Sequence, residues 1–171
     1  MEKTIKDVFI DELQNMLSAE EQIIEALPDM IKASESTDLK NAFEAHLKET
    51  KGQVERLLKI FKLLDIEKTE KLCKATKALI DEGKEVIKKY NSSPARDAAI
   101  IARAQRIEHY EISAYGSMRT FAKELNLEEI PELLQATLDE EGHADKKLTK
   151  IAEGGLIKSG VNHKANIAKE K

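Results

Sequence analysis

The sequence predicts an all-α protein, and three observations support that fold class. Residues with high helix propensity (Ala, Leu, Ile, Glu and Lys) make up the bulk of the 171-residue chain. Apolar residues recur with the period of an α-helix over long stretches. Turn-forming residues are scarce, since 3 Pro and 7 Gly cannot supply the turns that an all-β sandwich needs. With 41% hydrophobic residues, the chain can bury one core of ordinary domain size.

Charge and cysteine content exclude several classes of protein. The chain carries 32 acidic and 28 basic residues, which argues against a dedicated nucleic-acid-binding protein. It lacks an apolar run long enough to span a membrane, and its N-terminus lacks the apolar core of a signal peptide. A lone cysteine, Cys73, cannot form an intramolecular disulfide. We therefore expect a cytoplasmic protein with no nucleic-acid and no membrane partner.

The first two helices are predicted at residues 4–33 and 38–64. Pro28 lies within the first of them, where it removes a backbone donor and clashes with the preceding turn. We therefore expect a kink or an early end there. The connection is polar, and Ser36 or Thr37 is expected to cap the second helix.

Three further helices follow the same periodicity. The third is predicted at 69–90 and ends at the Asn-Ser-Ser-Pro break of residues 91–94. The fourth covers 95–125. The fifth begins near Pro131, a residue favoured in the first turn, and ends at the glycine pair 154–155.

The helix lengths predict how the segments pack. The long segments should each extend roughly 40 Å at about 1.5 Å per residue, and the third is long enough to return the chain along them. We therefore predict a four-helix bundle with a long helical crossover between the second and third bundle helices. The bundle domain is predicted at residues 1–155. Residues 156–171 show little periodicity and are expected to form a flexible tail.

Each long helix places a carboxylate near the middle of its inward seam, the stripe of residues that faces the bundle interior. These residues are Glu20, Glu49, Glu108 and Glu141. They should converge at one depth, where isolated carboxylates are costly to bury and clustered ones repel each other. A pair of divalent metal ions would compensate, and oxygen ligands suit iron or manganese. The sequence thus predicts a site for two such ions.

Other polar residues on the seams extend the candidate site. Gln53 and Asp145 follow the seam carboxylates of the second and fifth helices by four positions, and Glu111 follows Glu108 by three. At these spacings residues share a helix face, so each could ligate a metal or orient a ligand. His46 and Tyr115 are expected to hydrogen-bond the ligands, although His46 could also bind metal and Tyr115 could be an ordinary core residue. A catalytic residue cannot be assigned.

Several motifs resemble the YciE/YciF-like family of bacterial ferritin-like proteins over residues 4–152. They include Ser-Ala-Glu-Glu-Gln at 18–22, Ala-His-Leu-Lys-Glu-Thr at 45–50 and Glu-His-Tyr-Glu at 108–111. The resemblance implies a ferritin-like bundle, a two-metal site and a link to stress response. The wider ferritin-like pattern has histidine three residues after a ligating glutamate on two helices. Gly52 and Ala144 occupy those positions here, so this ligand set is poor in histidine.

These observations lead to two functional hypotheses of different classes. The first is a ferritin-like protein whose two iron or manganese ions reduce O₂ or peroxide, or oxidise Fe(II). The alternative is a helical structural or interaction protein of the stress response with a vestigial or non-redox site. An iron-storing cage is a third reading. For a bundle of this kind we expect a homo-oligomer, most simply a dimer.

Overall fold

The computed structural model describes residues 2–155 and 158–167, and helices form most of these ranges. Their bounds are α1 Ile5–Ala33, α2 Thr37–Leu63, α3 Lys74–Lys89, α4 Pro94–Glu124, α5 Ile130–Glu153 and α6 Val161–Ile167. Within the described ranges, β-type pairing is limited to a single bridge between Gly154 and Ser159. The all-α fold class is therefore confirmed.

The four long helices α1, α2, α4 and α5 form a bundle. α1 packs along α2, and α4 packs along α5. The crossover helix α3 connects the two pairs and lies against α1 and α4, which confirms the predicted helical crossover. Among the described helices, none is both long enough and apolar enough to cross a lipid bilayer.

The helix ends follow the capping signals of the sequence. The side chain of Ser36 accepts a hydrogen bond from a backbone N–H in the first turn of α2, so it is the cap rather than Thr37. Ser93 caps α4 in the same way, and Pro94 is the first residue of that helix. Pro28 lies inside α1, which continues to Ala33, so the proline does not end the helix early.

The helix α3 begins five residues later than the periodicity predicts, because side chains of α1 bind the backbone of the preceding segment. Gln14 accepts a hydrogen bond from the Thr69 backbone N–H (2.9 Å) and donates one to the Glu67 carbonyl (2.7 Å). Ser18 accepts from the Cys73 backbone N–H (3.1 Å). These donors and acceptors are therefore satisfied without a helix.

The segment expected to be a flexible tail contains α6, which packs against α4 and α5. Its first residue, Val161, is buried in the core. Two glycines permit the turn that leads to it: Gly154 has a positive φ of 81°, and a Cβ on Gly160 would lie 2.3 Å from the Ala152 carbonyl oxygen. A helix of seven residues is too short to produce a clear periodicity in the sequence. Residues 156–157 and 168–171 of the expected tail lie outside the described ranges.

Two apolar clusters fill the bundle, one on each side of a polar layer. The cluster at the α6 end includes Ile23, Leu27, Phe43, Ile101 and Leu148. The cluster at the opposite end includes Phe9, Leu13, Leu57, Met118 and Leu134. Burying a side chain of this size contributes roughly 1.5–3 kcal/mol. Every long helix contributes to both clusters, so the polar residues between them on each helix meet at the middle of the bundle.

Candidate metal centre

Four buried side chains converge in the polar layer. His46 comes from α2, Glu108 and Glu111 from α4, and Glu141 from α5, and each offers one ligand atom within 4.8 Å of the others. Glu108 and Glu111 lie three residues apart, so both project from the same face of α4. Glu20 of α1 is fully buried in the same layer, where it faces Glu111.

In two of these carboxylates, one oxygen accepts a hydrogen bond from a buried side chain. The Tyr115 hydroxyl donates to Oε1 of Glu20. The Gln53 amide nitrogen donates to Oε1 of Glu141 and, at 3.0 Å, to Oε2 of Glu140. Both donors are fully buried, so they fix the rotamers of the two carboxylates they contact.

Burial strongly disfavours the charged form of the cluster. Desolvation, reinforced by the charge of Glu141, raises the pKa of the Glu20 carboxyl to about 8. The same two causes raise the pKa of Glu108 and of Glu111 well above the usual value for glutamate. Without a cation, these carboxyl groups therefore tend to retain their protons near neutral pH.

The buried atoms of the layer that lack a hydrogen-bond partner indicate whether a metal ion would fit there. Within the described part of the chain, several buried acceptor atoms have no hydrogen-bond partner. They are Oε2 of Glu20, Oε2 of Glu108, both carboxylate oxygens of Glu111, Oε2 of Glu141, Oε1 of Gln53 and Nδ1 of His46. Orphaned buried oxygens are costly in a folded protein, and divalent cations accept such lone pairs. The residues present therefore fit a metal, and the buried His/Glu cluster could bind one.

The polar layer brings together most of the residues that the sequence assigns to the site. These are Glu20, His46, Gln53, Glu108, Glu111, Tyr115 and Glu141. His46 belongs to the buried cluster, and its Nε2 lies 3.6 Å from Oε1 of Glu108. Tyr115 contacts Glu20, as expected for a residue that orients a ligand. Ligation itself stays a prediction.

Glu49 does not lie in the layer, which corrects the seam assigned to α2. Its side chain is 46% exposed, with Oε2 3.8 Å from Nδ1 of His46. The inward position between His46 and Gln53 is taken by Thr50, which is fully buried and donates its hydroxyl to the His46 carbonyl (2.8 Å). Because either a 3- or a 4-residue step after His46 fits a helical seam, the spacing alone allows either Glu49 or Thr50 to face inward. Burying the small hydroxyl costs less than burying a carboxylate.

Asp145 lies at the edge of the layer and not inside it. Its Oδ1 accepts a hydrogen bond from the Gln105 side chain (2.9 Å) and lies 3.3 Å from Nε2 of His109. Its side chain is 20% exposed, so water reaches it. These partners, both on α4, hold the carboxylate away from the buried cluster, although its charge still contributes to the raised pKa of Glu108.

Sequence reasoning missed an ion pair that supports the layer. Arg56 binds Glu140 through both terminal nitrogens (3.0 and 2.9 Å) and donates to the Thr137 hydroxyl (2.6 Å). Glu140 in turn accepts from Gln53, which holds Glu141. The signal was present, since Arg56 follows Gln53 by three residues and therefore shares its helix face.

The fold and the site define a class of protein: an all-helical bundle with a carboxylate–histidine cluster buried at its middle. Residues 4–165 match the family described as Domain of unknown function (DUF892). The chain belongs to this family.

Relatives of known sequence and structure agree with this assignment. The chain is 42% identical over 161 residues to Protein YciF of Escherichia coli (strain K12), covering 94% of this chain and 97% of that protein. The crystal structure of the E. coli stress protein YciF superposes with a TM-score of 0.87 at 38% identity, covering 98% of this chain and all of that one. The predicted family is thereby confirmed.

Two other solved structures share the architecture. A Rhodopseudomonas palustris protein called YcfI, described as a candidate structural protein, has a TM-score of 0.85 at 38% identity and covers 88% of this chain and 96% of that one. A Xanthomonas campestris protein has a TM-score of 0.68 at 16% identity, covering 86% of this chain and 89% of that one. The last likeness concerns the fold alone.

Proposed function

We propose that this protein is a ferritin-like metal-binding protein that holds two divalent ions, iron or manganese, in the buried cluster. The observation that carries the proposal is the set of orphaned carboxylate oxygens around His46 at the middle of the bundle. When bound, such ions would supply redox chemistry with O₂ or peroxide, in which either that oxidant or Fe(II) is the substrate that is consumed. The E. coli relative is described as a stress protein, and we extend that role to this chain.

The ligands in this proposal are the four buried carboxylates of the layer together with His46. Glu111 would offer both of its oxygens, because neither has a hydrogen-bond partner in the described part of the chain. Glu20 and Glu141 each keep one free oxygen while the other is held by a buried donor. Carboxylates arranged in this way can lose their protons to solvent when a cation replaces them.

The surrounding residues orient the ligands and restrict access. Tyr115 fixes Glu20, and the chain from Arg56 through Glu140 to Gln53 fixes Glu141. Such outer hydrogen bonds typically change metal affinity by about 10- to 100-fold. The two apolar clusters exclude water from both ends of the layer.

Metal analysis tests this proposal directly. We expect protein purified without added metal, then loaded anaerobically with Fe(II), to bind about two ions per chain, as carboxylate sites in bundles do. The double variant Glu108→Gln/Glu141→Gln should bind none, because it removes two charged ligands at constant side-chain size. The exposed pair Glu124→Gln/Glu132→Gln on the same two helices is the matched control. Absence of bound metal in the wild type, with no absorption change in air, would refute the proposal.

A second candidate is a helical structural protein in which the cluster stays protonated and metal-free. The raised pKa of Glu20, to about 8, favours it, because neutral carboxyl groups need no cation. The description of the R. palustris relative agrees with it. Specific metal binding must raise the melting temperature by linkage, so an unchanged melting temperature in Mn²⁺ or Fe²⁺ would favour this candidate.

A further inference from the structure

A cleft between α2 and α5 connects the surface to the buried cluster. Its volume is about 60 Å³, enough for a few water molecules. His46 and Glu108 line its inner end, and the exposed side chains of Glu49, His143 and Lys147 line its mouth. The small side chains Ala42 and Ala144 form part of its walls.

His46 links the two ends of this cleft. Its Nε2 is 3.6 Å from the buried carboxylate of Glu108, and its Nδ1 is 3.8 Å from the exposed carboxylate of Glu49. The side chain is 7% exposed, and Nδ1 has no hydrogen-bond partner within the described residues. One imidazole thus presents a nitrogen to the cluster and an unsatisfied nitrogen to the mouth.

We propose that Glu49 and Nδ1 of His46, in the part of the cleft that His143 also lines, form a loading site, at which a divalent cation binds before it passes to the buried cluster. The inference rests on the proposed function, and it assigns Glu49 a role outside the buried ligand set. A carboxylate with an imidazole is a donor pair that first-row divalent metals favour, and His143 brings a second imidazole to the mouth. These donor atoms also replace some of the water ligands that a cation loses on entering the cleft.

The two opposite charges at the mouth of the cleft allow the loading site to be tested by the sign of a change in the loading rate. Glu49 attracts a cation to the cleft, whereas Lys147 repels it. Neutralising these two residues should therefore change the loading rate in opposite directions.

A second cavity reaches His46 and Glu108 from the side of α1 and α3, but it does not suit a cation. Its volume is about 10 Å³, and its other lining residues are apolar, among them Leu27, Met30 and Ile80. A hydrated cation would lose its water there without replacement ligands. The cleft between α2 and α5 is therefore the more favourable route for a charged species.

Stopped-flow absorbance with Co²⁺ and the metal-free full-length protein tests the inference. We expect Glu49→Gln and His143→Gln to slow loading by about three- to tenfold, the order expected for loss of one focusing group, and Lys147→Gln to accelerate it. The final Co²⁺ stoichiometry should stay at the wild-type value in all three variants. Raising the salt concentration should slow the wild type more than Glu49→Gln, because screening removes the same attraction. Glu44→Gln, an exposed charge change on α2 outside the cleft, is the control.

A steric variant separates the cleft from its charges. Ala144→Leu narrows the passage without changing any charge, and we expect slower Co²⁺ loading to the same endpoint. Wild-type loading rates in both Glu49→Gln and Ala144→Leu would overturn the loading site while leaving the proposed function intact. Failure of the wild type to bind Co²⁺ at all would overturn both.

Discussion

Among the described residues, Tyr115 is the largest fully buried side chain, and its hydroxyl donates a hydrogen bond to Glu20 in the polar layer. Replacing it by Phe keeps the ring but leaves Oε1 of Glu20 without its donor. A buried polar atom that loses its partner costs about 1–3 kcal/mol. We therefore expect Tyr115→Phe to lower the free energy of unfolding of the metal-free protein by that amount, as measured by urea denaturation.

The same variant should weaken metal binding, because the freed carboxylate can turn away from the cluster. Tyr90→Phe is the matched control, since Tyr90 is 37% exposed at the end of α3. Equal stability and equal metal affinity for Tyr115→Phe and the wild type would show that the hydroxyl contact has no orienting role.

At the residue scale, the sequence predicted which helices carry the cluster but not every side chain in it. Glu20, Glu108, Glu111 and Glu141 could be identified because each interrupts an apolar seam near its middle. The choice on α2 could not be made, because neighbouring positions differ in direction by only a fraction of a helical turn. Packing against α5 decides it, and that contact is invisible in a single sequence.

At the scale of elements, the segment between α2 and α3 depends on one buried glutamine of α1. Gln14 is 7% exposed and makes three hydrogen bonds to residues 67–69. We expect Gln14→Leu to release this segment, since leucine can replace the packing but none of the hydrogen bonds. Hydrogen exchange followed by mass spectrometry should show faster exchange at the Thr69 amide.

The matching change at Gln135, a half-buried glutamine of α5, should leave exchange in residues 64–73 unchanged. Wild-type exchange at Thr69 in Gln14→Leu would contradict this role of Gln14.

The segment of residues 64–73 also explains why the sequence places the start of α3 too early, because periodicity reports helix potential and not competition from side chains of another helix. The four long helices were predictable within a few residues, since each has an apolar stripe of its own and begins at a capping residue or, in α5, at a proline of the first turn.

At the scale of the whole molecule, stability should depend on pH in the metal-free protein and hardly at all in the metal-bound protein. Glu20, Glu108 and Glu111 have folded-state pKa values raised above the usual value near 4.5. The folded state then binds more protons than the unfolded state, so this contribution is complete below about pH 4.5 and is lost as pH rises through the folded-state pKa of each group, which is about 8 for Glu20. Each pKa unit corresponds to about 1.4 kcal/mol for one group.

We therefore expect the metal-free protein to lose stability steadily between pH 5 and about 8, as measured by urea denaturation in the presence of a chelator. With Mn²⁺ bound, the carboxylates are charged and paired, so the same curve should be nearly flat in this range. Glu108→Gln/Glu141→Gln without metal should also flatten the curve, because it removes Glu108, whose pKa is raised, and the charge of Glu141 that raises the pKa of Glu20 and Glu111. A metal-free wild type of constant stability over this range would contradict the burial of these groups in solution.

The polar layer has one more consequence for the molecule. It divides the interior into two apolar halves, each assembled from all four long helices, that meet chiefly through the carboxylate cluster. Substitutions in opposite halves should therefore combine additively, since few side chains are shared between them. Side chains in either apolar half can therefore be substituted without disturbing the packing of the other half, provided that the residues of the polar layer are kept.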